Sequence, residues 1–373
     1  MSGIRIEKVK TKKDFMNFIK FPWKVYKDYP NWVPPLIIDM KEKLNPKKNP
    51  FFDHSEMELF LAYKDNEISG RIAAIIDNNH NEFHNEKIVF FGLYESIDDL
   101  ITAKALLSVV SEWGKDRGMK FIRGPMNLSM NDECAFLLEG FDSPPVYMMP
   151  YTPPYYLDLM EKCGLEKAKD LFAYIMDRSH ETTKKVKMIE EQIKNQTTVS
   201  LRNVNKNKVN EEAEKIMHIY NNAWGKNWGF VPWTIKEMRH IFRRLKIFAD
   251  PKIIILADDK DKAIGFAFAL PNYNEVIMKM NGRIFPFGIF KFLYYRRKIK
   301  GVRAVVFGIL KEYRTSGISY LLYSQLEKNI RARNYQWCET SWQLEDNEAV
   351  NKFTESIGGK LYKKYRIYEK KLY

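Results

Sequence analysis

The chain has 373 residues, 45% hydrophobic and 29% charged, with a net charge of +14. At roughly 150 residues per domain this exceeds one small domain, and the composition fits a globular protein with a substantial core rather than a disordered or fibrous chain. No apolar run approaches the roughly 18 to 20 residues of a membrane span, and "MSGIRIEKVKTKKDF" lacks the apolar stretch of a signal peptide, so a cytoplasmic location is expected.

The positive charge points to an anionic partner: a phosphorylated small molecule, a membrane surface or nucleic acid. Nothing resembling a zinc finger, an aromatic RNA-binding strand or a basic heptad helix supports nucleic acid. Cys134, Cys163 and Cys338 are widely spaced without a CxxC pair and read as small buried groups. His80 and His84 lack the glutamate of a metalloprotease helix and lie in an Asn-rich stretch, so a surface loop and no bound metal are expected.

In chain order, residues 4–9 read as a first strand, followed by helical stretches. A hairpin then turns at Lys64-Asp65-Asn66-Glu67. An apolar strand over 88–96 leads to an amphipathic helix over 103–118, then a strand at 119–124. A second helix follows 153, ends near Gly164 and gives way to a hairpin-like alternation. After a polar, helix-prone linker the order begins again, with a first strand at 199–204, a hairpin turning at 258–261, an apolar strand at 304–312 and a helix at 320–334.

This is an internal repeat. Gly92 and Gly308 lie 216 positions apart in matching strands, and Gly118 and Asn334, at the same offset, end matching helices with residue types that tolerate the left-handed conformation. Gly164 and Gly358 end the next pair of helices at an offset of 194, so the first copy carries 22 extra residues around "NLSMNDECAFLLEGFDSPPVYMM". The expected fold is α/β, two tandem mixed-sheet layers with a V-shaped opening: residues 1–178, a linker at 179–196 and residues 197–373.

Between the strand ending near Leu310 and the helix beginning near Gly317 lies "KEYRTSG". Unpaired N–H groups and the positive end of the macrodipole make a helix N-terminus a ready phosphate site, and a glycine allows close approach. The same turn also reads as a plain connection; the spacing alone leaves both open.

"GILKEYRTSGIS" followed by "EDNEAVNKFTESIGG" resembles the acetyl-CoA-binding motif of the GNAT acyltransferase superfamily, R/Q-x-x-G-x-G/A with a later helix opening at Asn. Arg314, Gly317 and Ser319 fall on the motif's fixed positions and Asn347 on the later Asn. The resemblance covers 197–373 by motif and 1–178 by order of elements, as in tandem GNAT proteins. It implies that the backbone of Arg314, Thr315, Ser316, Gly317, Ile318 and Ser319 cradles the CoA pyrophosphate. It also implies that the strand edge at Phe307, Ile309 and Leu310 pairs with pantetheine, and that an amine attacks the thioester directly in the V. Glu339, Glu345 and Tyr362 are the candidates for proton transfer; each carboxylate also reads as a solvated or paired group. Ser319 replaces the motif's last Gly or Ala, and Thr354 stands where many relatives place a thiol-protonating tyrosine. The first-half loop "YESIDDLITA" answers Arg314 and Gly317 with Asp98 and Ile101, which repels a pyrophosphate, so the first half is expected not to bind CoA.

Asn127, Ser129, Asn131 and Glu133 crowd the end of a strand, either lining a substrate crevice or satisfying their own turn. From Glu275 to Glu312 there is no acidic residue but nine Lys and Arg, interleaved with aromatics such as Phe285, Phe287 and Phe290. This segment reads as a dip into an anionic membrane, an acyl-chain channel with a basic rim, or an aromatic flap packed on the core. The expected activity is acyl transfer from acetyl-CoA or a longer acyl-CoA to a small-molecule amine or peptide, without metal. The alternatives are a CoA-binding or membrane-surface protein with little or no turnover, and a Fem-like transferase using aminoacyl-tRNA.

Overall fold

The computed structural model of the protein describes residues 3–177 and 184–373. Its strands are β1 (Arg5–Lys8), β2 (Ser55–Lys64), β3 (Glu67–Asp77), β4 (Ile88–Ser96), β5 (Phe121–Gly124), β6 (Phe136–Glu139), β7 (Glu166–Asp177), β8 (Val199–Asn203), β9 (Ile254–Asp259), β10 (Lys262–Pro271), β11 (Gly301–Ile309), β12 (Trp337–Leu344) and β13 (Lys360–Lys371). The chain divides into two compact units, one of Met1–Leu171, Val276–Tyr294 and Lys363–Tyr373, the other of Phe172–Glu275 and Tyr295–Tyr362, with the boundaries falling inside β7 and β13. The units are thus discontinuous in sequence, where the repeat suggests one break at a linker. Of that linker, residues 179–183 lie outside the described residues and Lys184–Gln196 is a helix.

In the first unit β1, β2, β3 and β4 pair antiparallel in succession, β5 joins β4 in parallel, and β13 pairs antiparallel with β5 and β6. Asp65 and Asn66, with φ of 51° and 64°, make the tight turn between β2 and β3, as the two residue types that best tolerate the left-handed region. Helix Leu100–Lys115 buries Ala103, Leu106, Leu107 and Val110 on the sheet, a spacing that keeps one helix face apolar. The second unit repeats the plan: β8, β9, β10 and β11 pair antiparallel, β12 joins β11 in parallel, and helix Ile318–Ala332 buries Ile318, Leu322, Leu326 and Ile330. Burying a Leu or Ile fully stabilises by about 1.5–3 kcal/mol, so these two stripes fix the helices on their sheets. Gly118 and Asn334 adopt φ of 75° and 61°, and Gly164 and Gly358 φ of 76° and 96°, as their helix-ending positions require.

Several expectations change. Each closing hairpin is instead a single twelve-residue strand, β7 or β13, because no turn-forming residues interrupt the alternation. The His80/His84 stretch is the helix Asn78–His84 rather than a loop, with His80 buried and its Nε2 3.0 Å from Glu86 Oε2. Cys134 is buried, whereas Cys163 and Cys338 are half-buried, and none forms a disulfide. Phe285, Phe287 and Phe290 are 75%, 71% and 67% exposed, so they are not a flap packed on the core. Among the described residues no helix is long and apolar enough to cross a membrane, and no cluster of side chains is suited to hold a metal.

Candidate active site

In the second unit β11 and β12 are paired only from Gly301↔Trp337 to Ala304↔Thr340. Beyond Ala304, β11 runs on to Ile309 with β10 along one edge, and its other edge has no strand partner among the described residues. That is the V the sequence led one to expect. Phe307 is half-buried on this stretch, its ring 6.2 Å from that of Phe353, while Ile309 and Leu310 are buried. Gly308 leaves room for the Trp224 indole, which would come within 2.1 Å of any Cβ there.

At the end of β11 a 3-10 turn, Lys311–Tyr313, leads into helix Ile318–Ala332, whose N-cap is Gly317 at φ 79° with no side-chain cap. A carboxylate or hydroxyl cap would fill the space over the first N–H groups; here none does. The Arg314 and Ser316 amides donate to Lys311 and Tyr313 carbonyls at 3.3 and 3.2 Å. The amides of Thr315, Gly317, Ile318 and Ser319 have no carbonyl partner among the described residues. Four of the six amides expected to form the cradle are therefore available. The Arg314 guanidinium donates to the carbonyl of Ala223, anchoring the loop to the helix Val209–Ala223. Ile193 of helix Lys184–Gln196 packs against Gly317, where its Cδ1 would lie 2.2 Å from an added Cβ. Glu190 of the same helix pairs with Lys328 at 2.7 Å.

On the other arm of the V, Glu339 is wholly buried and stands opposite Arg303 in the parallel register. The Tyr362 hydroxyl donates to Glu339 Oε2. Arg303, itself 4% exposed, donates from Nε to Ser341 Oγ at 2.9 Å and from Nη2 to the Ser341 carbonyl at 3.1 Å. Two of the three candidate proton-transfer groups are thus joined, and a buried cation lies at the register position opposite one of them. The sequence reading missed Arg303, although a lone arginine inside the apolar run "GVRAVVFGI" is a signal that it has a buried partner.

Two curated relatives match nearly the whole chain: YghO of Escherichia coli, 37% identical over 97% of this chain and 94% of its own, and the bacterial ceramide synthase of Caulobacter vibrioides, 35% identical over 98% and 96%. The solved tandem GNAT protein of the clavulanic acid pathway aligns over 99% of both chains with a TM-score of 0.57 at 11% identity. The chain belongs to the family of these two relatives and has the tandem GNAT fold. No family model matches it.

Within this GNAT frame the remaining candidates are placed as follows. Asn347 caps helix Glu348–Ser356 by accepting from the Val350 amide. Glu345 lies past the end of β12, where its carbonyl accepts from Asn351 Nδ2 at 3.3 Å. Thr354 is buried and exchanges hydrogen bonds with Gln343. Its hydroxyl therefore holds the helix to β12. In the first unit Asn127 Oδ1 accepts from the Leu93 amide at 2.8 Å, its own amide donates to the Glu133 carbonyl, and Ser129 Oγ accepts from the Asn131 amide. Asn127 thus ties the turn to β4, while its own amide and Ser129 serve the turn's backbone.

Proposed function

We propose that this chain is an acyl-CoA-dependent N-acyltransferase whose donor binds in the second unit and whose acceptor is a long-chain amine of the sphingoid class, giving a ceramide-type amide. The observation that carries the donor half is the uncapped helix N-terminus at Gly317, with four available amides, at the foot of the opened β11–β12 pair. The acceptor half draws on the 35% identity with the bacterial ceramide synthase.

Acyl-CoA supplies a thioester, an acyl group already activated toward amines. The amides of Thr315, Gly317, Ile318 and Ser319 hold pyrophosphate oxygens at the positive end of the helix dipole. The free edge of β11 around Phe307 and Ile309 offers backbone groups to pantetheine amides. The amine nitrogen bonds to the carbonyl carbon, the carbon–sulfur bond breaks, and one proton passes from nitrogen to the leaving thiolate. Glu339 and Tyr362 handle that proton. Fixing both reactants in the V supplies much of the rate by orientation.

The buried Thr354–Gln343 contact leaves no tyrosine at the position from which many GNAT proteins protonate the thiol, and this favours a second reading: acyl-CoA binding without turnover. One experiment separates the two. Calorimetry with acetyl-CoA and long-chain acyl-CoAs, followed by mass spectrometry of reactions with a sphingoid base, gives binding and an N-acyl product under the first reading and binding alone under the second. No binding of any acyl-CoA overturns both.

A further inference from the structure

The segment from Lys279 to Lys298 presents the largest run of exposed apolar side chains among the described residues. Phe285, Phe287, Phe290, Leu293 and Tyr294 are 75%, 71%, 67%, 48% and 57% exposed. On helix Gly288–Tyr295 the residues Phe290, Leu293 and Tyr294 share one face by their spacing, while Gly288, Ile289 and Phe292 are buried or half-buried. A single exposed leucine needs no explanation, but five large apolar groups on ten residues do.

Two features say what covers them. The segment is held firmly at its base: Trp23 Nε1 donates to Asn281 Oδ1 at 2.8 Å, the Ile37 amide donates to the Gly282 carbonyl at 3.0 Å, and Trp23 packs so closely on Gly282 that a Cβ would meet it at 2.4 Å. Ile38, next to that anchor, is itself 53% exposed. The exposed aromatics are therefore displayed on a fixed support. The charge along this stretch of sequence is of one sign. Lys279, Arg283, Lys291, Arg296, Arg297 and Lys298 are all exposed, and no acidic residue occurs from Val276 to Lys311. Aromatic rings flanked only by cations match the acyl–headgroup boundary of an anionic bilayer, where rings bury and Lys and Arg reach phosphates.

We infer that this segment docks the protein onto an anionic membrane surface, with Phe285, Phe287 and Phe290 entering the interface. The docking does not depend on the acyl-transfer reading, and it gives a water-soluble donor and a lipid acceptor a common place to meet.

The test is co-sedimentation of the full chain with vesicles of equal parts phosphatidylglycerol and phosphatidylcholine, and of phosphatidylcholine alone. The wild type should pellet with the mixed vesicles, pellet little with phosphatidylcholine, and be released by salt. R283Q/R296Q/R297Q should lower partition onto the mixed vesicles about a hundredfold, at roughly fivefold per charge. F285S/F287S/F290S should abolish pelleting while keeping the wild-type melting temperature and acyl-CoA affinity, since these rings are exposed. Wild-type protein that ignores the mixed vesicles, or a serine variant that pellets like wild type, overturns the inference. So does a wild-type dimer that the serine variant dissociates without change in pelleting, since the patch would then cover a second copy.

Discussion

Two helices enter two sheets at matching points of the repeat, and they are capped differently. Helix Leu100–Lys115 has Asp99 at its N-cap; the carboxylate accepts from the Thr102 amide at 2.9 Å and meets Lys64 Nζ at 2.9 Å. Burial opposes ionisation there, but Thr102 and Lys64 hold the Asp99 carboxyl below its usual range. Helix Ile318–Ala332 starts two residues later in its copy, at Gly317, and carries no side-chain cap. The first N-terminus already holds an anion, covalently attached; the second carries no side-chain anion, and its proposed occupant is the CoA pyrophosphate.

The strand pairs beneath them differ in the same sense. β4 and β5 pair from Ile88↔Phe121 to Phe90↔Arg123, after which the chain Pro125–Asn127 follows β4: the Met126 amide donates to the Phe91 carbonyl at 2.8 Å, and the Met126 carbonyl lies against Gly92. The first V is filled by its own backbone, whereas β11 past Ala304 has no strand partner on that edge among the described residues. Where the first unit keeps a buried carboxylate, it is locked: Glu95 meets Arg71 at 3.5 Å and accepts from Tyr156 at 2.7 Å. Burial pushes the Glu95 carboxyl above its usual range, with Arg71 and Tyr156 acting against that. The two copies therefore differ at the helix N-terminus, at the strand pair and in the partners of their buried carboxylates.

This contrast can be broken in order of expected effect. Glu339→Gln, in the open copy, should slow acyl transfer about a hundredfold or more while acyl-CoA affinity from calorimetry stays unchanged. Glu95→Ala, in the closed copy, strands Arg71 in the core and should cost about 3 kcal/mol in denaturant unfolding. Thr315→Asp places a carboxylate at the residue aligned with Asp99. The site is exposed, so folding should be unaffected, and acyl-CoA binding should weaken about tenfold or more by like-charge repulsion. An unchanged affinity would refute the pyrophosphate assignment. Asp99→Ala should remove about 1 kcal/mol of stability and leave acyl-CoA affinity alone.

The smallest effect is one of pH. Burial raises the Glu190 carboxyl, but Lys194, Lys328 and Ser324 outweigh it and bring the carboxyl down to about 2. A depressed folded value means that the stabilisation is complete above the ordinary value of 4.5 and is lost as pH falls toward about 2. Both lysines are about half exposed, so solvent screening reduces the effect to about 1 kcal/mol. Hydrogen exchange should show helix Lys184–Gln196 loosening across that window in the wild type, with Glu190→Gln already loose at neutral pH.

Much of this was legible beforehand because it is local. The turn at Asp65-Asn66, the left-handed ends at Gly118, Asn334, Gly164 and Gly358, and the apolar stripes of both sheet-packing helices follow from residue type and spacing. The different capping of the two helix entries was legible as two residue choices, Gly317 in one copy and the acidic pair in the other. The Glu339–Tyr362 bond was not, because it joins residues 23 positions apart whose side chains meet only once β12 and β13 are laid down. Arg303 was missed for a related reason: an arginine in an apolar strand announces a partner without naming it.

The sequence by itself determined the repeat, the periodicity of its elements and which copy carries an acidic pair at its helix entry, since backbone conformation and local charge are written in neighbouring residues. Tertiary structure alone decided that Pro125–Asn127 fills one V while, among the described residues, no strand pairs with β11 past Ala304 in the other. It also decided that the Phe285, Phe287 and Phe290 rings face outward and that the Asn127 side chain ties its turn to Leu93 of β4. Each of these depends on which groups compete for the same space, and that is fixed only when distant segments pack.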